Sequence, residues 1–235
     1  MKTFIIHVST AIEREKHINK QIDKYNLDAE FILDGDIKDL DSEKASVYFG
    51  DKLSINLCAV TSCAYKHFLA YEKIVEQNLP YALILEDDII LENGFKSLIN
   101  SIIHEIKERN LSSFMISIED SYVRYVKRSE RNRHDFLYKT TKGRLAGAYI
   151  VDYSYAQNIL NYTKKNKCDN PIDWYHNYCC SLGLFSIYWS HSTAAYQGSL
   201  SGETRSLIDG KSSGFIRFCL FHAQRYYKRL LYLAR

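Results

Sequence analysis

Proline is scarce in this chain: Pro80 and Pro171 are the two among 235 residues, and glycine occurs only ten times. No Pro-, Gly- or Ser-rich stretch exists to act as a flexible linker, no segment is low in complexity, and no repeat recurs at a fixed period. These absences argue against tandem modules and solenoids and favour one domain. Long apolar runs are missing as well. No stretch of about eighteen uncharged apolar residues occurs, and the opening MKTFIIHVST holds too short an apolar run for a secretory signal. The expectation is a cytoplasmic protein. Its six cysteines, Cys58, Cys63, Cys168, Cys179, Cys180 and Cys219, make neither a CxxC pair nor a zinc-ribbon spacing and read mostly as buried, reduced thiols. GxxxxGK[ST] and GxGxxG are both absent, which removes support for Walker-type ATP chemistry and for dinucleotide redox chemistry. A net charge of only +3 argues against nucleic acid as the main partner.

With 46% hydrophobic and 25% charged residues, the chain can bury one sizeable core. Its apolar pattern alternates between the periods of strand and helix. Thr3 to Val8 reads as a strand, followed by a helix that Ser9 and Thr10 can cap and that includes Ile18 and Ile22. Ala29 to Leu33 reads as a second strand ending at the turn pair Asp34 and Gly35. From Ala59 to Gln77 the residues Ala64, Phe68, Tyr71, Ile74 and Val75 recur at helical spacing, until Asn78, Leu79 and Pro80 break the pattern. A strand over 81–90, a helix from Phe95 to Lys107 and a strand from Ser113 to Ile118 follow. Such alternation predicts an α/β fold with a mostly parallel central sheet and helices on both faces.

The most telling segment is that strand over 81–90. Tyr81, Ala82, Leu83, Ile84 and Leu85 run directly into Glu86, Asp87 and Asp88 before the chain turns apolar again at Ile89. Burying one unpaired carboxylate costs several kcal/mol, so three adjacent acids at the end of a buried strand call for a cation, a positive ligand or a proton. Ligands of open α/β sheets bind beyond the carboxyl ends of strands, where Ser9, Asp34 and Glu119 also fall. A hard ion such as Mg²⁺ or Mn²⁺ takes one or two carboxylates plus substrate phosphates, and a nucleoside diphosphate fits that demand.

The segment LPYALILEDDI from Leu79 resembles the signature of glycosyltransferase family 25, which includes bacterial lipooligosaccharide β-galactosyltransferases. The resemblance extends over roughly residues 3–208. Cys63, His67, Tyr71, Lys73, Ile74 and Val75 match the family's helix before that strand, and FIIHVSTAIEREKH resembles its opening strand and turn with Arg14 at the family's arginine. Asp34 and Gly35 match its DG turn, and the segment from Gly147 to Val151 resembles its GxxGYLVS segment. Pro171, Ile172 and Asp173 match its PVD, and Tyr196 and Gln197 match a glutamine-containing segment.

This resemblance implies a GT-A-like, Rossmann-like nucleotide-binding fold over residues 1–211. It also implies transfer of a sugar, usually galactose, from a UDP-sugar donor with inversion, to a glycan or lipid-linked oligosaccharide acceptor. Glu86, Asp87 and Asp88 then read as an ExD version of the DxD motif, with Glu86 and Asp88 holding Mn²⁺ or Mg²⁺ and His191 a further candidate ligand. The donor-binding candidates are His7, Val8, Ser9, Arg14, Asp34, Gly35, His67, Asp87, Gly147 and Gln197. Inversion needs a general base; Asp173 is the first candidate, with Glu119 and Asp120 as rivals. Each has a plain alternative: His7 and His67 as core histidines, Asp34 and Gly35 as turn formers, Asp87 as a turn cap or ion-pair partner, and Asp173 as the N-cap of a helix from Trp174.

Two basic segments complete the reading. Tyr122 to Lys142 carries Arg124, Lys127, Arg128, Arg131, Arg133, Lys139 and Lys142, and suits either a solvated loop or a site for an anionic acceptor. Residues 212–235 read as a basic amphipathic helix in which Phe218, Phe221, Tyr226, Leu230, Leu231 and Leu233 mingle with Arg217, His222, Arg225, Lys228, Arg229 and Arg235. Such a helix can lie on the inner face of an anionic membrane, or pack on the domain or a second subunit, which leaves the oligomeric state open. The competing functions are a nucleotidyltransferase and a catalytically silent carbohydrate-binding protein on the same fold.

Overall fold

The structure, a computed structural model, describes residues 1–207 and 214–234. Strand β1 (Lys2–Ile6) leads into α1 (Ile12–Tyr25) and β2 (Asp28–Ile32), and two short helices, α2 (Ser42–Ser46) and α3 (Asp51–Ile55), precede the long α4 (Ala59–Glu76). The acidic strand is broken into β3 (Tyr81–Glu86) and β4 (Ile89–Leu91), with Asp87 and Asp88 at the turn between them. Then follow α5 (Phe95–Glu108), β5 (Phe114–Ser117), β6 (Leu137–Thr140), β7 (Ala148–Asp152), α6 (Tyr153–Asn166), α7 (Ile172–Ser181), β8 (Ser186–Ser190), β9 (Ala195–Gln197), α8 (Gly198–Ser201) and α9 (Phe215–Ala234).

Three helices end by the same local device. Asn26, Asn78 and Asn110 each take a positive φ near 50° just beyond α1, α4 and α5. The leucine after each asparagine donates its N–H five residues back, to Ile22, Ile74 and Ile106. This is a Schellman cap, with asparagine in the left-handed place usually given to glycine and an apolar residue folding back on the last turn.

The main sheet has the order β2-β1-β3-β7-β5-β8-β6. It is mostly parallel in strand direction but mixed, only β6 and β7 running against the rest: β1 pairs in parallel with β2 and β3, and β5 with β8, while β7 is antiparallel to both β3 and β5, and β6 is antiparallel to β8. The segment expected as a charged loop supplies part of the reason. After Tyr122 it buries Tyr125 and Val126, forms β6, and returns the chain to enter the sheet as β7 from the opposite end.

Strand periodicity divides the core. On one face Phe4, Ile6, Ala82, Ile84 and Val151 pack with α4, α6 and α7; on the other Ile5, Leu83, Leu85 and Ile150 pack with α1 and α5. Each such fully buried aliphatic or aromatic side chain contributes about 1.5–3 kcal/mol. Of the cysteines, Cys168 and Cys179 are buried, Cys63 and Cys180 half-buried, and Cys58 and Cys219 exposed, so burial of most of them does not hold. Cys58 stands at the start of α4 and Cys219 on the outer side of α9, which are solvent-facing places.

Helix α9 is docked on the domain rather than free. Arg225 is 4% exposed, and its Nε donates to Asp120 Oδ2 at 2.9 Å while Nη1 donates to Glu92 Oε1 at 2.8 Å, with the guanidinium 4.6 Å from the Tyr196 ring centroid. Arg229 reaches the same Asp120 at 3.1 Å, and Phe221 packs inward on Tyr196. These three, expected on a membrane-facing helix, face the protein. Phe215, Ile216, Leu220, Tyr226, Tyr227, Leu230 and Leu233 remain exposed on the outside. Arg235 and the expected boundary at 211/212 lie outside the described residues. Among the described residues no helix is long and apolar enough to cross a membrane.

The clamp has a signature in stability. Burial pushes the Asp120 carboxyl up, but Arg225 and the Tyr125 hydroxyl outweigh it and leave it below the ordinary carboxylate range. A depressed carboxylate stabilises the fold above its unfolded value and loses that contribution as pH falls through the folded value. Docking of α9 should therefore hold from neutral pH to about pH 4 and loosen only below it. Arg225→Ala, which leaves Asp120 buried without its main partner, should cost about 3–5 kcal/mol in chemical denaturation and expose the α9 segment to limited proteolysis; unchanged stability and protection would show the clamp to be idle.

Candidate active site

Parallel register builds the site. Ile6 of β1 lies opposite Glu86 of β3, so the next residues, His7 and Asp87, emerge side by side at the carboxyl rim. His7 Nδ1 meets Asp87 Oδ2 at 2.8 Å, and Arg14 Nη1 donates to Asp87 Oδ1 at 2.6 Å. The antiparallel strand β7 begins at the same rim, where the Gly147 carbonyl accepts the Glu86 N–H at 2.8 Å. The two-stranded pair β4–β9 sets Ile89 opposite Gln197 and so carries Gln197 Nε2 to 3.4 Å from Glu86 Oε2.

The three acids have separate duties. Asp87 is clasped by His7 and Arg14, so these two expected donor contacts serve the acid beside them. Arg14 Nη2 also donates to the Arg205 carbonyl at 2.7 Å and lies 3.8 Å from Asp88. Asp88 accepts from the Ser199 N–H at 3.2 Å through Oδ2, while its buried Oδ1 has no partner among the described residues. Glu86 is held well above its ordinary value, at about 8, by burial and by the neighbouring Asp88 and Asp87. One guanidinium against three carboxylates leaves negative charge over. An orphaned carboxylate oxygen and a crowded glutamate are the environment a divalent cation would relieve, so Glu86 and Asp88 fit the expected ion.

A cavity of about 380 Å³ opens on Glu86 and Asp87, lined also by His7, Val8 and Arg14 of the expected residues; Asp88 is not on its wall. Sequence reasoning missed others on its wall, chiefly Asp36 and Lys66. Ser9, expected as a donor contact and helix cap, instead donates through its hydroxyl and N–H to Asp36 at 2.5 and 3.0 Å, and Ala11 takes the cap position of α1 without a side-chain bond. Lys66 is 1% exposed, pairs with Asp36 at 3.0 Å and donates to the Leu33 carbonyl at 2.6 Å. Burial pushes Asp36 up, yet Ser9 and Lys66 hold it below the ordinary range. The only hint in the sequence was the second aspartate of Asp34-Gly35-Asp36.

Asp34 itself is exposed, and Gly35 is needed for the turn: its φ is +92°, and a Cβ there would stand 2.4 Å from the Tyr65 ring. Gly147 is likewise a matter of space, since a Cβ would stand 2.4 Å from Gln197 Nε2.

Two expected bases are spoken for. Glu119 is fully buried and accepts from the N–H groups of Gly147 at 2.7 Å and Ala148 at 3.1 Å and from the Ser121 hydroxyl; burial still pushes it up to about 8. It anchors the β7 end of the rim instead of facing a substrate. Asp120 is locked to Arg225, which comes from 105 residues further along the chain. Asp173 alone stays open to a cavity, lining a second hollow of about 260 Å³ with Trp174, Asn177, Arg124 and Arg144. It sits inside the first turn of α7, whose N-cap is Pro171, so the expected N-cap role falls away. Burial raises its pKa above the ordinary value. His191 lies in a third groove with Arg131, Tyr125 and Arg229, which none of the acids Glu86 to Asp88 lines, and is not placed to share their cation.

His67 is wholly buried beneath Glu86, with Nδ1 2.6 Å from the Tyr149 hydroxyl and Nε2 3.6 Å from Glu86 Oε1. Burial lowers it to about 3 and keeps it neutral.

The crowding at Glu86 is measurable. A carboxyl whose folded value is raised from 4.5 to about 8 costs stability progressively as pH climbs between those values. In chelator-treated protein, Glu86→Gln should therefore match the native protein at pH 5 and be more stable by roughly 1–3 kcal/mol at pH 9. Thermal unfolding at both pH values checks it, and a destabilised variant at pH 9 would contradict the assignment.

Comparison with known proteins places the chain in a family. Residues 1–175 match the family described as Glycosyltransferase family 25 (LPS biosynthesis protein). A Haemophilus influenzae strain Rd protein named as a glycosyltransferase is 26% identical over 179 residues, covering 72% of this chain and 60% of that protein. The lipooligosaccharide biosynthesis protein lic2B of Haemophilus influenzae is 28% identical over 102 residues, covering 40% of this chain and 36% of that protein. The chain thus spans less than two thirds of the length of these relatives. A crystal structure of a protein from STIV overlays with a TM-score of 0.48 at 13% identity, covering 83% of this chain and 84% of that one, a likeness too slight to bear on fold or activity. On the match over residues 1–175, which form most of its length, the chain belongs to glycosyltransferase family 25.

Proposed function

We propose that the protein is a GT-A-type glycosyltransferase that moves a hexosyl group, galactose by the family's habit, from a UDP-sugar to the glycan of a lipooligosaccharide-type acceptor, with inversion. The observation that carries this reading is the unpartnered, buried Asp88 Oδ1 just beyond the strand whose end residue, Glu86, lines a cavity with room for a nucleotide portion. The name of the second relative supports the choice of acceptor.

In this reading Glu86 and Asp88 hold Mn²⁺ or Mg²⁺, which when bound supplies Lewis-acid stabilisation of the diphosphate leaving group. The chain's own residues do the rest. Asp87, fixed by His7 and Arg14, keeps the strand end rigid while its neighbours face the ligand. The apolar side chains of Ile6, Val8 and Ile37 line the cavity for a base and ribose. Asp173 takes the proton of the attacking acceptor hydroxyl, and its raised pKa brings it nearer the operating pH. Trp174, 65% exposed beside it, offers an indole face to an acceptor sugar ring, and Arg124 draws anionic groups to the same hollow. The exposed apolar side of α9, with Lys228 beside it, supports meeting a lipid-linked acceptor at an anionic membrane surface.

A screen of UDP-sugars for slow cation-dependent hydrolysis tests this directly. Asp88→Ala should abolish turnover. Asp173→Asn should lower transfer to a glycan acceptor by about 10²–10⁴ while leaving UDP-sugar affinity unchanged. Equal turnover by Asp88→Ala would overturn the proposed site.

A further inference from the structure

Cys63 and His67 stand four residues apart on α4, on the same helix face, and both point at the end of β3. Cys63 Sγ is 3.9 Å and His67 Nε2 3.6 Å from Glu86 Oε1, and the three atoms all lie within 4.8 Å of one another. His67 is 0% exposed and its Nε2 has no hydrogen-bond partner. An orphaned buried nitrogen of this kind costs about 1–3 kcal/mol unless something meets it.

The hydrogen bonds around His67 allow its Nε2 to present a lone pair. Tyr149 Oη lies 2.6 Å from His67 Nδ1 and 2.6 Å from Tyr71 Oη, which in turn lies 2.8 Å from His176 Nε2. With Nδ1–H donating into this chain, every link down to His176 Nε2 is satisfied, Nε2 of His67 is left with a lone pair aimed at Glu86, and the buried Nδ1–H of His176 has no partner among the described residues. Run in the other sense, Nε2 would carry a proton 3.6 Å from the carboxylate, too far for a hydrogen bond, and His176 Nδ1 would hold the unmet lone pair, so a cation at His67 Nε2 would select the first sense. A second-sphere hydroxyl that fixes the tautomer of an imidazole is the usual support of a metal-bound histidine.

We propose that Cys63, His67 and Glu86 form a three-ligand site for a borderline divalent cation of the Zn²⁺ class, open on its fourth side to the cavity that Cys63 and Glu86 line. A tetrahedral zinc centre with these ligands needs separations of roughly 3.4–3.6 Å between ligand atoms; the two to Glu86 Oε1, 3.9 and 3.6 Å, lie within a few tenths of an ångström of that, and the Cys63–His67 pair lies within 4.8 Å. Thiolate and imidazole select zinc or cobalt over the hard ions that suit Asp88, so the site differs in preference from the cation of the donor reading. Three protein ligands with an open position is the arrangement of zinc sites that take an exogenous ligand. The inference stands on these ligand atoms and not on the transfer activity.

Cobalt reports such a site without any turnover. Whole protein treated with chelator and titrated with Co²⁺ should develop a near-ultraviolet thiolate-to-cobalt charge-transfer band, which Zn²⁺ then bleaches. The band should persist in Asp88→Asn and vanish in Cys63→Ser, and His67→Gln should weaken binding by about 10-fold or more. In the native protein Zn²⁺ should also slow alkylation of Cys63 by iodoacetamide, mapped by mass spectrometry, with exposed Cys58 and Cys219 as unprotected controls. An unchanged band in Cys63→Ser, or equal Cys63 alkylation with and without Zn²⁺, would overturn the proposal. Either result would leave Asp88-dependent UDP-sugar hydrolysis untouched, so the two readings fail separately.

Discussion

Like-charge crowding at the end of β3 is the constraint around which the site is arranged. Three consecutive carboxylates leave a buried strand where water is scarce, and their mutual repulsion must be met from elsewhere in the fold. The parallel register of β1 and β3 brings His7 against Asp87, and Arg14 arrives from the first turn of α1 to complete that neutralisation. Only the middle acid is satisfied in this way. Glu86 and Asp88, on either side, are not neutralised in this way: Glu86 is held above its ordinary value by burial and its acidic neighbours, and Asp88 keeps a buried oxygen without a partner among the described residues.

The second acidic group follows the opposite course. Asp120 and Glu92 would have added further negative charge on the same side of the sheet, but Arg225 and Arg229 of α9 neutralise them. The C-terminal helix thus completes the domain electrostatically while its outward face stays apolar. One cluster of acids is closed by the chain itself, and the other is neutralised only at its middle member.

Much of this could be read before the structure, and the divisions follow range. The first two strands, α4 and the acids beyond β3 announced themselves through local period, capping residues and charge, which depend on neighbours in sequence. The direction of β6 and β7 did not, because antiparallel entry depends on how a long intervening segment returns. Non-local capture likewise disqualified Glu119 and Asp120: the donors that claim them, Gly147 and Arg225, lie 28 and 105 residues away. Asp36 and Lys66 were hidden for a related reason, since a lysine buried by three backbone carbonyls and one carboxylate looks in sequence like any helical lysine.

In the proposed function, Glu86 and Asp88 bind a cation that in turn holds a nucleoside diphosphate. Isothermal calorimetry of UDP binding, with and without Mn²⁺, tests it most directly on the native protein and on Asp88→Asn. Binding should strengthen with Mn²⁺ in the native protein and lose that dependence in the variant. UDP affinity that is the same with and without Mn²⁺, in both proteins, would contradict it.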